Sequence, residues 1–158
     1  MNEEARLNEL YQKISDVIIQ TLPEKWTKVY LYGEIAEGVR KSYFFYYPEN
    51  GNSPVYCHDI PELFPVSQEE YDRLWYLSLD YLKELWLEFK KLERSQWTSL
   101  TLNFDSTGSF KIDYDYDDLS KVNDHERMIV WEYNYLGLVP QHESDRRYLE
   151  HYLKSKKN

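Results

Sequence analysis

Apolar residues first recur at three- and four-residue spacing. Leu7, Leu10, Tyr11, Ile14, Val17, Ile18 and Leu22 fall on one stripe, with Glu3, Glu4, Gln12, Lys13 and Asp16 opposite, which predicts an amphipathic helix over residues 1–22. Pro23 ends it. From Trp26 the period shortens to two and the residues become aromatic and β-branched, predicting strands over 26–34, 39–47 and 55–58. Turn signals at Glu37-Gly38 and at Pro48-Glu49-Asn50-Gly51-Asn52 separate them, too short for crossover helices, so the strands form an antiparallel meander. Pro61 and Pro65 mark a loop. Ser67 and Glu70 then read as a capping box opening a long helix over 68–92, whose main stripe is Tyr71, Leu74, Trp75, Leu82, Leu85, Trp86 and Phe89.

The cleanest alternation follows. Residues 98–105 and 110–117 flank the turn Asp105-Ser106-Thr107-Gly108, with Leu100, Leu102, Phe104, Phe110, Ile112, Tyr114 and Tyr116 on one face. The other face carries Thr101, Asn103, Asp105, Lys111, Asp113, Asp115 and Asp117, so one face packs on helices and the other is wet. Two helices close the chain, over 124–136 with Gly137 as a left-handed cap and Pro140 beyond, and over 144–154 with Tyr148, Leu149, Tyr152 and Leu153 inward. The order α-β-β-β-α-β-β-α-α predicts an α+β class: an antiparallel sheet of about five strands with helices on one face, in a single domain spanning 1–158. A length of 158 residues agrees with one domain.

Charge narrows the function classes. Net charge is −9, which makes the chain a poor direct ligand for nucleic-acid phosphates and a better match for a basic protein surface. No apolar run spans a membrane, and the single Cys57 forms no internal disulfide, so a reducing cytoplasm is expected. The 16 Tyr residues combine contact area with a polar tip, which suits a binding face, although most of them are explained as core-edge packing.

No glycine-rich phosphate loop, Gly-x-Ser-x-Gly elbow, His-Glu-x-x-His or Cys-x-x-Cys occurs, so no catalytic residue, metal ligand or cofactor is assigned. Cys57 and His58 are adjacent on an expected strand and point to opposite faces, which separates thiol from imidazole; Cys57 reads as packed and His58 as a surface residue. His125, His142 and His151 have equally plain readings. The feature above background is Asp113, Asp115 and Asp117, followed by Asp118, with Asp105 across the hairpin. Alternate residues of a strand stand about 6.7 Å apart on one face, so they form a negative strip. Three readings compete for it: a solvated face that blunts edge pairing, a pair of ligands for Mg²⁺ or Mn²⁺ in a metal-dependent hydrolase, or a docking strip for a basic protein, with a general interaction adaptor as a further alternative.

Beyond these patterns, the chain resembles the YezG-like (EsaG-like) antitoxin family of Firmicutes along nearly its whole length. The resemblance is carried by Leu10-Tyr11, Ile14, Pro23-Glu24-Lys25-Trp26-Thr27-Lys28-Val29-Tyr30, Phe44-Phe45-Tyr46-Tyr47, Leu74-Trp75, Trp97-Thr98-Ser99, residues 108–116, Arg127, Trp131-Glu132-Tyr133 and Leu136-Gly137-Leu138-Val139-Pro140. It implies a non-catalytic immunity protein that binds and neutralises a cognate secreted nuclease toxin, of the type VII LXG-like or a similar polymorphic kind, inside the producing cell. It transfers no contact surface. The residues expected to meet the toxin's basic surface are Asp105, Asp113, Asp115, Asp117, Asp118 and Tyr47, and the Tyr-rich strand from Tyr43 to Tyr47 and the last two helices stay open as other surfaces. No membrane or direct nucleic-acid partner is expected; a monomer is the default, and exposed aromatics leave a dimer open.

Overall fold

A computed structural model describes residues 2–157, which form five α-helices and one five-stranded antiparallel sheet. The chain divides into two compact units, one up to Asp117 and one from Asp118.

The first unit begins with α1, Glu3–Thr21, whose free N-terminal amides are met by the Asn2 side chain accepting from Ala5 N at 2.7 Å. Leu22, the residue before Pro23, is extended at φ −73° and ψ 123°, as the proline ring requires. Strands β1 (Trp26–Ala36) and β2 (Val39–Pro48) form the hairpin, and β3 is only Val55–Tyr56. The expected strand 55–58 stops early because Cys57–Asp59 wind into a 3₁₀ turn, which runs into a short helix α2, Ile60–Leu63, with Pro61 in its first turn. This α2 falls where a loop was expected. Helix α3, Gln68–Lys91, keeps half of the expected capping box: Ser67 Oγ accepts from Glu70 N at 3.2 Å, while the Glu70 carboxylate takes two Arg73 nitrogens at 3.0 and 2.6 Å.

Strands β4 (Ser99–Asp105) and β5 (Phe110–Asp115) complete a sheet ordered β3-β2-β1-β4-β5. Its inner face presents Val29, Leu31 and Ile35 of β1, Phe44 and Tyr46 of β2, and Leu100, Leu102 and Phe104 of β4, all buried. Gly33 lets α3 approach: a Cβ there would meet Leu82 Cδ1 at 3.2 Å, tighter than an ordinary contact, so the Leu82 side chain would have to give way. Helix α1 lies along α3, tied by Arg6 to Glu84 at 2.7 Å. The outer face is drier than expected at its centre: Tyr32, Tyr43, Phe45, Ser99 and Thr101 are buried, with Tyr32 stacked on Tyr43 at 5.1 Å. Two residues expected inward on β5 lie at the surface instead, Phe110 51 % and Tyr116 53 % exposed, because β5 is the sheet's edge and Tyr116 lies beyond its end.

The second unit holds α4 (Asp124–Leu136) and α5 (Glu143–Lys156), preceded by a 3₁₀ turn at Leu119–Lys121. Asn123 caps α4 by accepting from Glu126 N at 2.9 Å. Arg127 pairs with Asp124 at 2.7 Å and also donates to the carbonyls of Leu119, at 2.8 Å, and Val122, latching the entering turn to the helix. Gly137 terminates α4 at φ 67°, a left-handed conformation that costs an L side chain about 1–2 kcal/mol. Gly137→Ala is therefore expected to lower the melting temperature by a few degrees, with Gly137→Asn losing less; equal melting of all three would refute the strain.

Candidate functional site

The structure sorts the acidic residues by what each carboxylate already does. Asp105 ends β4 and holds the hairpin turn: its Oδ1 accepts from Thr107 Oγ1 at 2.6 Å, Thr107 N at 2.9 Å and Ser109 N at 3.1 Å. Those bonds, the Thr107 hydroxyl foremost, hold its carboxyl below the usual carboxylate range. Asp105 does not sit beside Asp113. It lies at the level of Ser109, about 13 Å along the strand direction, with Lys111 between.

Asp113 and Asp115 do share the outer face of β5, opposite Thr101 and Ser99. Lys111 Nζ stands 3.9 Å from Asp113. Asp117 leaves the row: β5 ends at Asp115, whose Oδ1 accepts from Asp117 N at 2.8 Å and folds the chain off the ladder. Asp118 belongs to the second unit, where it caps the 3₁₀ turn by accepting from Ser120 N at 3.0 Å and Ser120 Oγ at 2.7 Å, which also lowers its proton affinity. The expected row Asp113, Asp115 and Asp117 thus shortens to the pair Asp113 and Asp115, with Asp105 and Asp118 engaged in turns of their own.

Tyr47 is half-buried on the same outer face, at the hairpin-turn end, opposite Lys28 in register. Its ring meets Tyr30 edge-on at 6.3 Å, and Lys28 Nζ covers the Tyr30 ring at 5.0 Å. Burial, then Tyr30, raises the Tyr47 phenol above its usual range, partly offset by Lys28. Lys28 separates Tyr47 from Asp105, since it pairs with both across the sheet.

A feature the sequence reading missed adjoins Asp115. Phe89 at the end of α3, Arg94, Ser95, Tyr114 and Tyr116 line an open hollow on the inner side of β5. Tyr114 lies 4.9 Å from Phe89 and bonds the Tyr11 hydroxyl of α1, while Arg94 crosses the Phe89 ring at 5.9 Å and pairs with Glu3 at 2.8 Å. Its members are scattered through the chain, so no local pattern announces it.

The candidate chemistry elsewhere is structural. Cys57 is buried, its sulfur accepting from Phe44 N at 3.4 Å, and burial pushes its thiol up to about 11. His58 is exposed, as expected, but on a 3₁₀ turn rather than a strand, with its Nδ1 3.0 Å from Tyr71 Oη. Although the residue reaches solvent, its ring is packed among those of Tyr56, Tyr71 and Trp75, and the resulting desolvation lowers its proton affinity. His125 bridges α4 to α5 through Asp145 at 2.9 Å. Among the described residues no group of three or more His, Cys, Asp or Glu is arranged to hold a metal ion. No described helix is long and apolar enough to cross a membrane.

Cys57 gives a direct check on the packing. A thiol raised from 9.0 to about 11 has about a hundredfold less thiolate near neutrality, so a thiol reagent at pH 8 is expected to label the native chain at least that much more slowly than the unfolded one. The same shift favours the native state fully below pH 9 and is lost as pH rises towards 11, so denaturation midpoints hold to about pH 9 and fall above it. Fast native labelling at pH 8 would contradict the burial.

A family model described as immunity protein YezG-like matches residues 7–150. The chain belongs to this family. It is 40 % identical over 152 residues to immunity protein YezG of Bacillus spizizenii, covering 95 % of this chain and 94 % of that one. It is 34 % identical over 149 residues to immunity protein YezG of Bacillus subtilis, covering 93 % and 99 %. It is 29 % identical over 145 residues to the type VII secretion system protein EsaG of Staphylococcus aureus, covering 90 % and 89 %. The YezG-like family is one of immunity proteins.

Proposed function

We propose that this chain is an immunity protein that binds and neutralises a cognate secreted nuclease toxin in the cytoplasm of the producing cell, acting by contact alone. The match to the YezG-like family over residues 7–150 carries the reading. Charge supports the choice of a nuclease: a cleft that holds polyphosphate must be positive, and a chain of net charge −9 with Asp113 and Asp115 displayed on a strand offers that cleft a substitute for phosphate. The test is co-expression with the C-terminal domain of the toxin encoded beside this gene. Cells are expected to survive only when both are made, and the two chains to elute together. Cell death despite full expression of this chain would overturn the reading, as would a toxin domain without nuclease activity for the nuclease assignment.

A further inference from the structure

Among the described residues β5 is the outermost strand of the sheet, with β4 as its neighbour. Asp105 N donates to Ser109 O at 3.0 Å beside the pair Phe104 and Phe110, so that pair is of the non-bonded kind and the alternation fixes the rest. Lys111, Asp113 and Asp115 turn their N–H and C=O groups to β4; Phe110, Ile112 and Tyr114 turn theirs outward, where no strand meets them. Edges of this kind recruit other chains unless they are blunted, and charge is a common means of blunting.

The two flanks of this edge differ in chemistry. On the outer face stand Asp113 and Asp115, with Lys111 3.9 Å from Asp113; on the inner face stand half-exposed Phe110 and the hollow bounded by the rings of Tyr114, Tyr116 and Phe89 and by Arg94. A strand laid against β5 would set alternate side chains over each flank. The carboxylates therefore leave the edge selective: they repel acidic strands and favour one that brings cations over a neutral one. A second copy of this chain brings its own −9 charge to the same edge, which opposes self-pairing.

We infer that the β5 edge is a strand-addition site for an extended basic segment of the partner, with Lys or Arg on one side facing Asp113 and Asp115 and apolar residues on the other entering the Tyr114 hollow. Backbone bonds to Phe110, Ile112 and Tyr114 supply affinity, and the alternating side chains supply selectivity. This rests on the immunity reading for the identity of the partner, but the edge chemistry can be tested apart from it.

The test is residue-resolved amide exchange on the full chain alone, with the toxin domain encoded beside the gene, with a synthetic ten-residue peptide alternating Lys and Val, and with a peptide of the same composition in two blocks. In the free chain the Phe110, Ile112 and Tyr114 amides should exchange at least tenfold faster than those of Lys111, Asp113 and Asp115. The toxin domain and the alternating peptide should slow the outward amides at least tenfold, and the block peptide should not. Phe110→Pro, which removes one outward donor at the strand's first residue, should weaken binding about tenfold. Toxin binding that leaves the outward amides unchanged would overturn the strand-addition mode while sparing the immunity reading. Protection by the alternating peptide with no toxin binding would sink the immunity reading and keep the edge chemistry. Equal protection by both peptides, or concentration-dependent protection of the free chain by self-pairing, would overturn the inference.

Discussion

Trp97→Ala is expected to destabilise the first unit by about 3–5 kcal/mol, the range found for deleting a fully buried large aromatic residue. Trp97 is 0 % exposed and lies just before β4, with its ring 5.9 Å from that of Tyr114. Its carbonyl also accepts from Trp86 Nε1 at 3.0 Å, which with the Gln96 side chain donating to Trp86 O at 3.1 Å fixes the chain leaving α3 to that helix. Among the described residues the indole Nε1 of Trp97 has no hydrogen-bond partner, so the loss on truncation is packing and cavity alone, with no broken bond to add. Trp97→Phe keeps most of the ring and removes that orphaned donor, and its cost should fall well below that of alanine. Urea unfolding followed by circular dichroism measures both. A cost for Trp97→Ala under about 1.5 kcal/mol would mean that the site collapses freely or is less densely packed than the structure shows.

The β4–β5 hairpin was the part most legible in the sequence, and the reason is local. Asp105 sets the turn through bonds to residues two and four positions on, and the turn then fixes which residues of both strands share a face. The helix at 124–136 was legible for a similar reason, since Asn123 and Gly137 are caps readable from their own neighbours. Where two local partners compete, the sequence did not decide between them. Glu70 stood three residues after Ser67 but also three before Arg73, and the guanidinium took it. Asp117 continued the alternation of β5, yet its amide is captured by the Asp115 carboxylate and the strand ends. That capture removed one member of the acidic strip.

The candidate site was legible only on one of its flanks. Asp113 and Asp115 are read from period two, whereas the hollow needs Phe89, Arg94 and Tyr114 brought together from α3, the following loop and β5. Tyr114 lies inward, as the alternation predicts, but the open hollow beside it depends on β5 being the last strand, and strand order is not written in any local pattern. The same cause put Phe110 and Tyr116 at the surface. An edge position therefore explains both the misread burial and the feature with the clearest binding chemistry.

That position also sets the size of the second large effect. Neutralising and reversing the pair, with Asp113→Lys and Asp115→Asn, is expected to slow association with the toxin domain by tenfold to a thousandfold at low salt. Asparagine at 115 keeps a side-chain oxygen for Asp117 N, so the strand end is preserved and the change is read as charge. The rim position of these residues directs the effect to the association rate more than to dissociation. With a screening length near 3 Å at 1 M salt, the difference between variant and parent should nearly vanish there. Asp105→Asn serves as the comparison: that carboxylate is engaged in its own turn, at the far end of the hairpin, and its loss should change stability more than association. Stopped-flow association at several salt concentrations measures all three proteins. An unchanged rate for the double variant at low salt would remove Asp113 and Asp115 from the encounter surface, and a slowing that persisted at 1 M would assign their role to close contact and not to long-range attraction.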